Sequence, residues 1–156
     1  MALRVVSGGQ TGVDRAALDA ALSAGLPIGG FCPRGRLAED GTIPESYPLV
    51  ETPSAEYPQR TEWNVRDSDA TLVLTRGAPT GGTAFTLEVA RQLRRPALVV
   101  DLAALPDPAA AREWCAGHAV GTLNVAGPRE SGAPGIYAEA RAFMEAFLSG
   151  GGRPGR

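Results

Sequence analysis

Residues 70–102 read ATLVLTRGAPTGGTAFTLEVARQLRRPALVVDL. Ala70 to Thr75 is an unbroken run of apolar or β-branched residues without polar alternation, the mark of a strand buried on both faces. A glycine-rich turn follows. From about Thr83 to Leu93 the residues Phe85, Val89 and Leu93 fall at i, i+4 and i+8, which predicts a helix packed through that stripe. Pro96 stops it, and Ala97 to Leu102 is a second continuous apolar strand. A strand, a helix and a strand in so short a span make a βαβ unit, whose strands run parallel.

The same alternation extends in both directions. Upstream, Leu3 to Ser7 reads as a buried strand and Val13 to Ala24 as a helix closed by Gly25. Pro27 to Phe31 is a weaker strand. A Pro-rich connection runs from Cys32 to about Pro58, with a short edge strand at Leu49 to Glu51 and then a short helix over Gln59 to Val65. Downstream, Asp107 caps a helix with Pro108 at its first position and Gly117 after its end. Thr122 to Ala126 is the last strand, and Ile136, Ala140, Phe143 and Phe147 line one face of a C-terminal helix. The pattern predicts an α/β fold, a single Rossmann-like three-layer sandwich with a mainly parallel sheet and helices on both faces. One ligand-binding domain over 1–149 and a flexible tail over 150–156 account for the chain.

Its 156 residues are the length of one ordinary domain. A net charge of −2 argues against binding nucleic acid or a membrane surface through bulk positive potential. All 15 basic residues are arginine, which excludes a phosphate-binding loop built on lysine and any Schiff-base mechanism. Cys32 and Cys115 form no CxxC pair, and His118 is the single histidine, so no directly bound metal is expected. With no signal-like N-terminus and no apolar run of membrane-spanning length, the expected location is the cytoplasm.

In a doubly wound sheet the ligand lies beyond the carboxyl ends of the strands, so the segments just after strands matter most. Ser7-Gly8-Gly9-Gln10-Thr11-Gly12-Val13-Asp14 follows the first strand. Gly8 and Gly9 permit a sharp turn and close approach to an anion, while Thr11 and Asp14 also fit a helix cap and capping box. Thr80-Gly81-Gly82-Thr83 repeats the same design after Ala70–Thr75. Asn124, then Gly127-Pro128-Arg129, suits a phosphate or carboxylate contact. Arg34 and Arg36 flank a glycine on a Pro-braced loop and are candidate anion donors, with Glu39 and Asp40 beside them as ion-pair partners. Arg60 and Asn64 share a helix face and either reach the cleft or solvate the helix. Trp63 reads as packing, and Cys32 as either a thiol activated by arginines or a buried bystander.

Taken in order, SGGQTGVDRA, CPRGRLAEDG, Asn64-Val65 with Ser68-Asp69, Thr80-Gly81-Gly82-Thr83, and LNVAGPRES with Pro134-Gly135-Ile136-Tyr137 resemble one family. It is the molybdenum-cofactor carrier family, a circularly permuted YpsA-type branch of the SLOG superfamily, and the resemblance spans residues 3 to 148. It implies a Rossmann-like protein that binds a nucleotide-like or pterin-phosphate ligand without catalysis. Molybdenum cofactor (molybdopterin) is the carried ligand it implies, any molybdenum arriving inside the organic group, and self-association into a dimer or tetramer is implied too. Its Gly-rich loops map onto Gly8, Gly9, Gln10 and Thr11, and onto Gly81, Gly82 and Thr83; its arginine segments map onto Arg34, Arg36 and Arg129. The alternative rests on the wider superfamily's phosphoribohydrolases, whose Pro-Gly-Gly-x-Gly-Thr-x-x-Glu motif places Glu88 at the catalytic glutamate of a nucleoside-monophosphate N-glycosidase. Thr80, Ala84 and Phe85 depart from that motif.

Overall fold

Gly30 decides how the N-terminal half is laid out. Its φ is 125°, and a Cβ there would overlap the carbonyl oxygen of Ser7, so the chain must turn away from the sheet at this point. The computed structural model describes residues 3–150. In chain order these form β1 (Arg4–Val6), α1 (Val13–Ser23), β2 (Ile28–Gly29), β3 (Phe31–Cys32), β4 (Leu37–Ala38), β5 (Gly41–Thr42), β6 (Val50–Glu51) and α2 (Tyr57–Arg66). There follow β7 (Ala70–Thr75), α3 (Gly81–Gln92), β8 (Ala97–Asp101), α4 (Pro108–Gly117), β9 (Thr122–Ala126) and α5 (Ile136–Gly150). The strand expected over Pro27 to Phe31 is therefore two: β2 stays in the main sheet, while β3 pairs with β6 in a separate ribbon.

The main sheet is parallel throughout, in the order β2-β1-β9-β7-β8. The last strand sits in the middle, with Leu123 opposite Val5 of β1 and also opposite Ala70 of β7. Counting from β9 as the first strand turns the order into 3-2-1-4-5, that of a doubly wound sheet. All six residues of β7 are buried, as its lack of polar alternation predicts.

The larger core packs α1, α4 and α5 against Val5, Leu72, Leu74, Leu123 and Val125. Small residues on α1 (Ala16, Ala17, Ala20, Ala21) let it lie close along α5. Each fully buried Leu or Val contributes about 1.5–3 kcal/mol, so this face holds the fold. The cluster on α2 and α3 comprises Val65, Val89 and Ala90. Here the expected stripe is corrected. The buried face of α3 is Thr83, Thr86, Val89 and Ala90, while Phe85 and Leu93 are exposed, because the sheet contacts the helix about one residue around from the Phe85–Leu93 line. A third cluster of Leu18, Cys32, Ile43 and Leu49 seats the long connection. Cys32 is buried, and desolvation pushes its thiol up despite the nearby Arg36, so it is not an activated nucleophile.

Gly150 ends α5 rather than opening the expected tail, and residues 151–156 of that tail lie outside the described residues. Among the described residues no helix is long and apolar enough to cross a membrane.

Candidate functional site

The carboxyl ends of β1, β9 and β7 lie side by side, and the loops leaving them part on either side. A cleft of about 550 Å³ opens between them, at the point where the permuted strand order reverses and a ligand is expected. Of the residues read from the sequence, the cleft is lined by Gly8, Gln10 and Asp14 from the β1 loop and by Arg60 and Asn64 from α2. Thr80, Gly81, Gly82 and Thr83 line it from the start of α3, and Asn124 and Arg129 from the end of β9.

The helices that begin beside this cleft differ in how their N-terminal amides are satisfied. At α1, the Gln10 N–H donates to Asp14 Oδ2 at 3.2 Å and the Val13 N–H donates to the Pro128 carbonyl at 3.2 Å. Gly12, at φ 79°, is the N-cap, so the expected Thr11 cap is corrected. Thr11 Oγ1 instead donates to Glu39 and accepts the Glu130 N–H at 3.1 Å. At α5, the Glu130 carboxylate accepts the N–H groups of Gly135 and Tyr137, at 2.6 and 3.0 Å. A carboxylate of the chain itself therefore sits at the start of α5 and another against the loop that leads into α1.

At α3 the arrangement is open. Thr80 is the N-cap but makes no side-chain capping bond, and the first turn holds no acidic residue. The N–H groups of Thr83 and Ala84 return to the Thr80 carbonyl, at 3.1 and 3.2 Å, while those of Gly81 and Gly82 meet no acceptor among the described residues. Nothing lies within 4 Å of a Cβ built on either glycine. Free amides, the positive end of a helix dipole and open space are the features that an anion site requires.

Three arginines border the cleft. Arg60 donates to the Gly8 carbonyl at 3.0 Å and lies 4.9 Å over the Tyr57 ring. Arg129 has a side chain 53% exposed and stands 3.9 Å from Glu39, so it is the least committed of the three. Arg76 pairs with Glu139 at 3.1 Å. Sequence reasoning missed Arg76, although its place directly after β7 marks it. Asp14 is the buried acid of the cleft: desolvation raises its pKa to about 6, against the opposing pull of Arg60.

Other predicted residues turn out to build the walls. Asn64 accepts the Phe31 N–H at 2.8 Å and donates to its carbonyl at 3.0 Å, fastening β3 to α2. Asn124 Nδ2 donates to Thr71 Oγ1 at 3.2 Å between neighbouring strands. Trp63 meets Phe31 edge-on at 5.2 Å, as packing predicts.

Gly9, Thr11, Arg34 and Arg36 do not line the cleft. Arg36 instead donates to the carbonyls of Ile43, Pro44, Tyr47 and Leu49 and organises its own loop. Arg34 is exposed. The expected pairing of these arginines with Glu39 and Asp40 is replaced by two clasps. Glu39 accepts from Thr11 and Ser131, which with Arg129 hold its carboxyl below the usual range. Asp40 takes the Arg15 guanidinium in a bidentate pair. Glu88 also lies outside the cleft, exposed on α3 and engaged by Arg91 and Gln92. It is therefore not placed to act on a ligand bound there. Among the described residues no group of His, Cys, Asp and Glu gathers to hold a metal ion.

No curated protein matches the chain. A solved structure from Syntrophus aciditrophicus SB, which bears the name "Putative molybdenum carrier protein", is 44% identical with a TM-score of 0.89, covering 94% of this chain and 95% of that one. The profile of one family matches residues 5–148, nearly all of the doubly wound domain. With its last strand at the centre of the sheet, the chain belongs to the circularly permutated YpsA SLOG family.

Proposed function

We propose that this protein binds and carries a phosphorylated small molecule, nucleotide-like or a pterin phosphate, in the cleft between the β1, β9 and β7 loops. The observation that carries the proposal is the start of α3. Among the described residues nothing accepts its Gly81 and Gly82 amides, whereas Glu130 takes the amides at the start of α5, and at α1 the Val13 amide goes to the Pro128 carbonyl while Asp14 takes the Gln10 amide of the preceding loop. A phosphate there would accept both amides, with Arg129 swinging from Glu39 to add a charge-assisted bond. The relative named as a molybdenum carrier supports a molybdopterin-type cargo, and a cleft of about 550 Å³ is of the size that encloses a small organic ligand.

Gly82→Val tests the proposal. The site around Gly82 is empty and its φ is not left-handed, so the variant keeps its fold while isopropyl bulk takes the phosphate position. The parent should gain thermal stability with a pterin phosphate or nucleoside monophosphate, and the variant should gain none. Equal stabilisation of both proteins refutes the proposal.

A further inference from the structure

Two aromatic rings stand at the mouth of the cleft and belong to no core cluster. Tyr57, in the first turn of α2, and Phe85, in the second turn of α3, both line the cleft and are each 36% exposed. The aromatic ring pairs among the described residues include neither of them. The Arg60 guanidinium covers one side of the Tyr57 ring at 4.9 Å.

The position of Phe85 follows from α3. It lies four residues after Gly81 and three after Gly82, one helical turn, or about 5 Å, along the axis. Side chains on a helix lean toward its N-terminus and cover the preceding turn. Here the residues four and three before it are glycines, with nothing within 4 Å of a Cβ on either, so neither puts a side chain between Phe85 and the free amides. Phe85 is set off from the buried face of α3, which Thr83, Thr86, Val89 and Ala90 supply.

We infer that Tyr57 and Phe85 form a stacking site for a planar heterocycle joined to the phosphate by a short linker, and that these rings select fused-ring phosphomonoesters over aliphatic ones. The inference rests on the phosphate reading of the α3 start, and adds the group that distinguishes one phosphate ester from another. Stacking suits this selection because any π-face is accepted while a flexible sugar alone gains little. Arg60, already fixed by the Gly8 carbonyl and the Tyr57 ring, stiffens one wall.

Calorimetric titration of the whole chain with ribose 5-phosphate, guanosine 5′-monophosphate and a 6-substituted pterin phosphate tests the inference. The parent should bind the two ring-bearing esters at least tenfold more tightly than ribose 5-phosphate. Phe85→Ala and Tyr57→Ala should each reduce that preference about tenfold and leave ribose 5-phosphate binding unchanged, whereas Phe85→Tyr should retain it. Both sites are partly exposed, and circular dichroism confirms the fold of each variant. Equal binding of all three esters by the parent, or an undiminished preference in both alanine variants, overturns the stacking site alone. A parent that binds none of the three overturns the phosphate reading and the stacking site with it.

Discussion

The Asp14 carboxylate accepts the Gln10 amide at 3.2 Å and so takes, from within the protein, a donor that the β1 loop would otherwise offer to an anion. The chain has two glycine-rich loops at its sheet edge, and this contact separates them. The β1 loop is satisfied internally, and the β7 loop is left open to a ligand. Asp14 is 6% exposed, so holding it ionised costs desolvation energy.

That cost is measurable through pH. Burial raises the pKa of Asp14 from 3.8 to about 6 in the folded protein. The group therefore favours the fold below pH 4, and that contribution is lost as pH rises through 6. Asp14→Asn keeps an acceptor for the Gln10 N–H and removes the charge. Denaturant unfolding should show the variant more stable than the parent by about 3 kcal/mol at pH 8, with the difference nearly gone at pH 4. Parallel stability curves across this range would contradict the assignment.

Asn64 fastens Phe31 through both its backbone groups, replacing a strand partner that β3 lost when Gly30 left the sheet. Asn64→Ala leaves a partly buried N–H and C=O unpaired and should lower stability by about 2 kcal/mol. The shift in urea midpoint, with the slope unchanged, is the readout. A midpoint within error of the parent would show that water replaces the side chain at no cost.

Gly12 and Gly77 have nearly the same positive φ, 79° and 76°. A Cβ on Gly12 would overlap the Pro128 carbonyl oxygen, while one on Gly77 meets nothing within 4 Å. Gly77→Ala should therefore cost about 1 kcal/mol, the strain of left-handed backbone alone. Gly12→Ala should cost at least twice as much and lower the melting temperature by several more degrees. Equal losses would mean that the α1 start and the β9 loop are not packed as described.

Much of this was legible in the sequence, for reasons that differ from residue to residue. β7 declares itself because a strand buried on both faces carries an uninterrupted apolar run, β8 carries such a run although it is an edge strand that leaves Val99 exposed, and the two Gly-Gly turns mark the sheet edge directly. The central position of β9 was not readable, since parallel pairing between Leu123 and both Val5 and Ala70 leaves no local pattern. Phe85 fits a helical stripe as well as any core residue, and only the contact of α3 with the sheet shows that threonines take the buried face. Arg36 and Arg129 look alike in sequence. One is spent on four carbonyls of its own loop and the other borders the cleft, a distinction made by how the chain closes around residues 43–49.

The proposed cargo site requires the free amides at the start of α3 to receive a phosphate. Titrating the ¹⁵N-labelled protein with guanosine 5′-monophosphate, while following individual backbone N–H resonances, tests it most directly. The Gly81 and Gly82 amides should shift downfield most and saturate together, with the Gly9, Gln10 and Thr11 amides, already donating within the protein, moving little. Shifts centred on the β1 loop, with Gly81 and Gly82 unmoved at saturation, would contradict it.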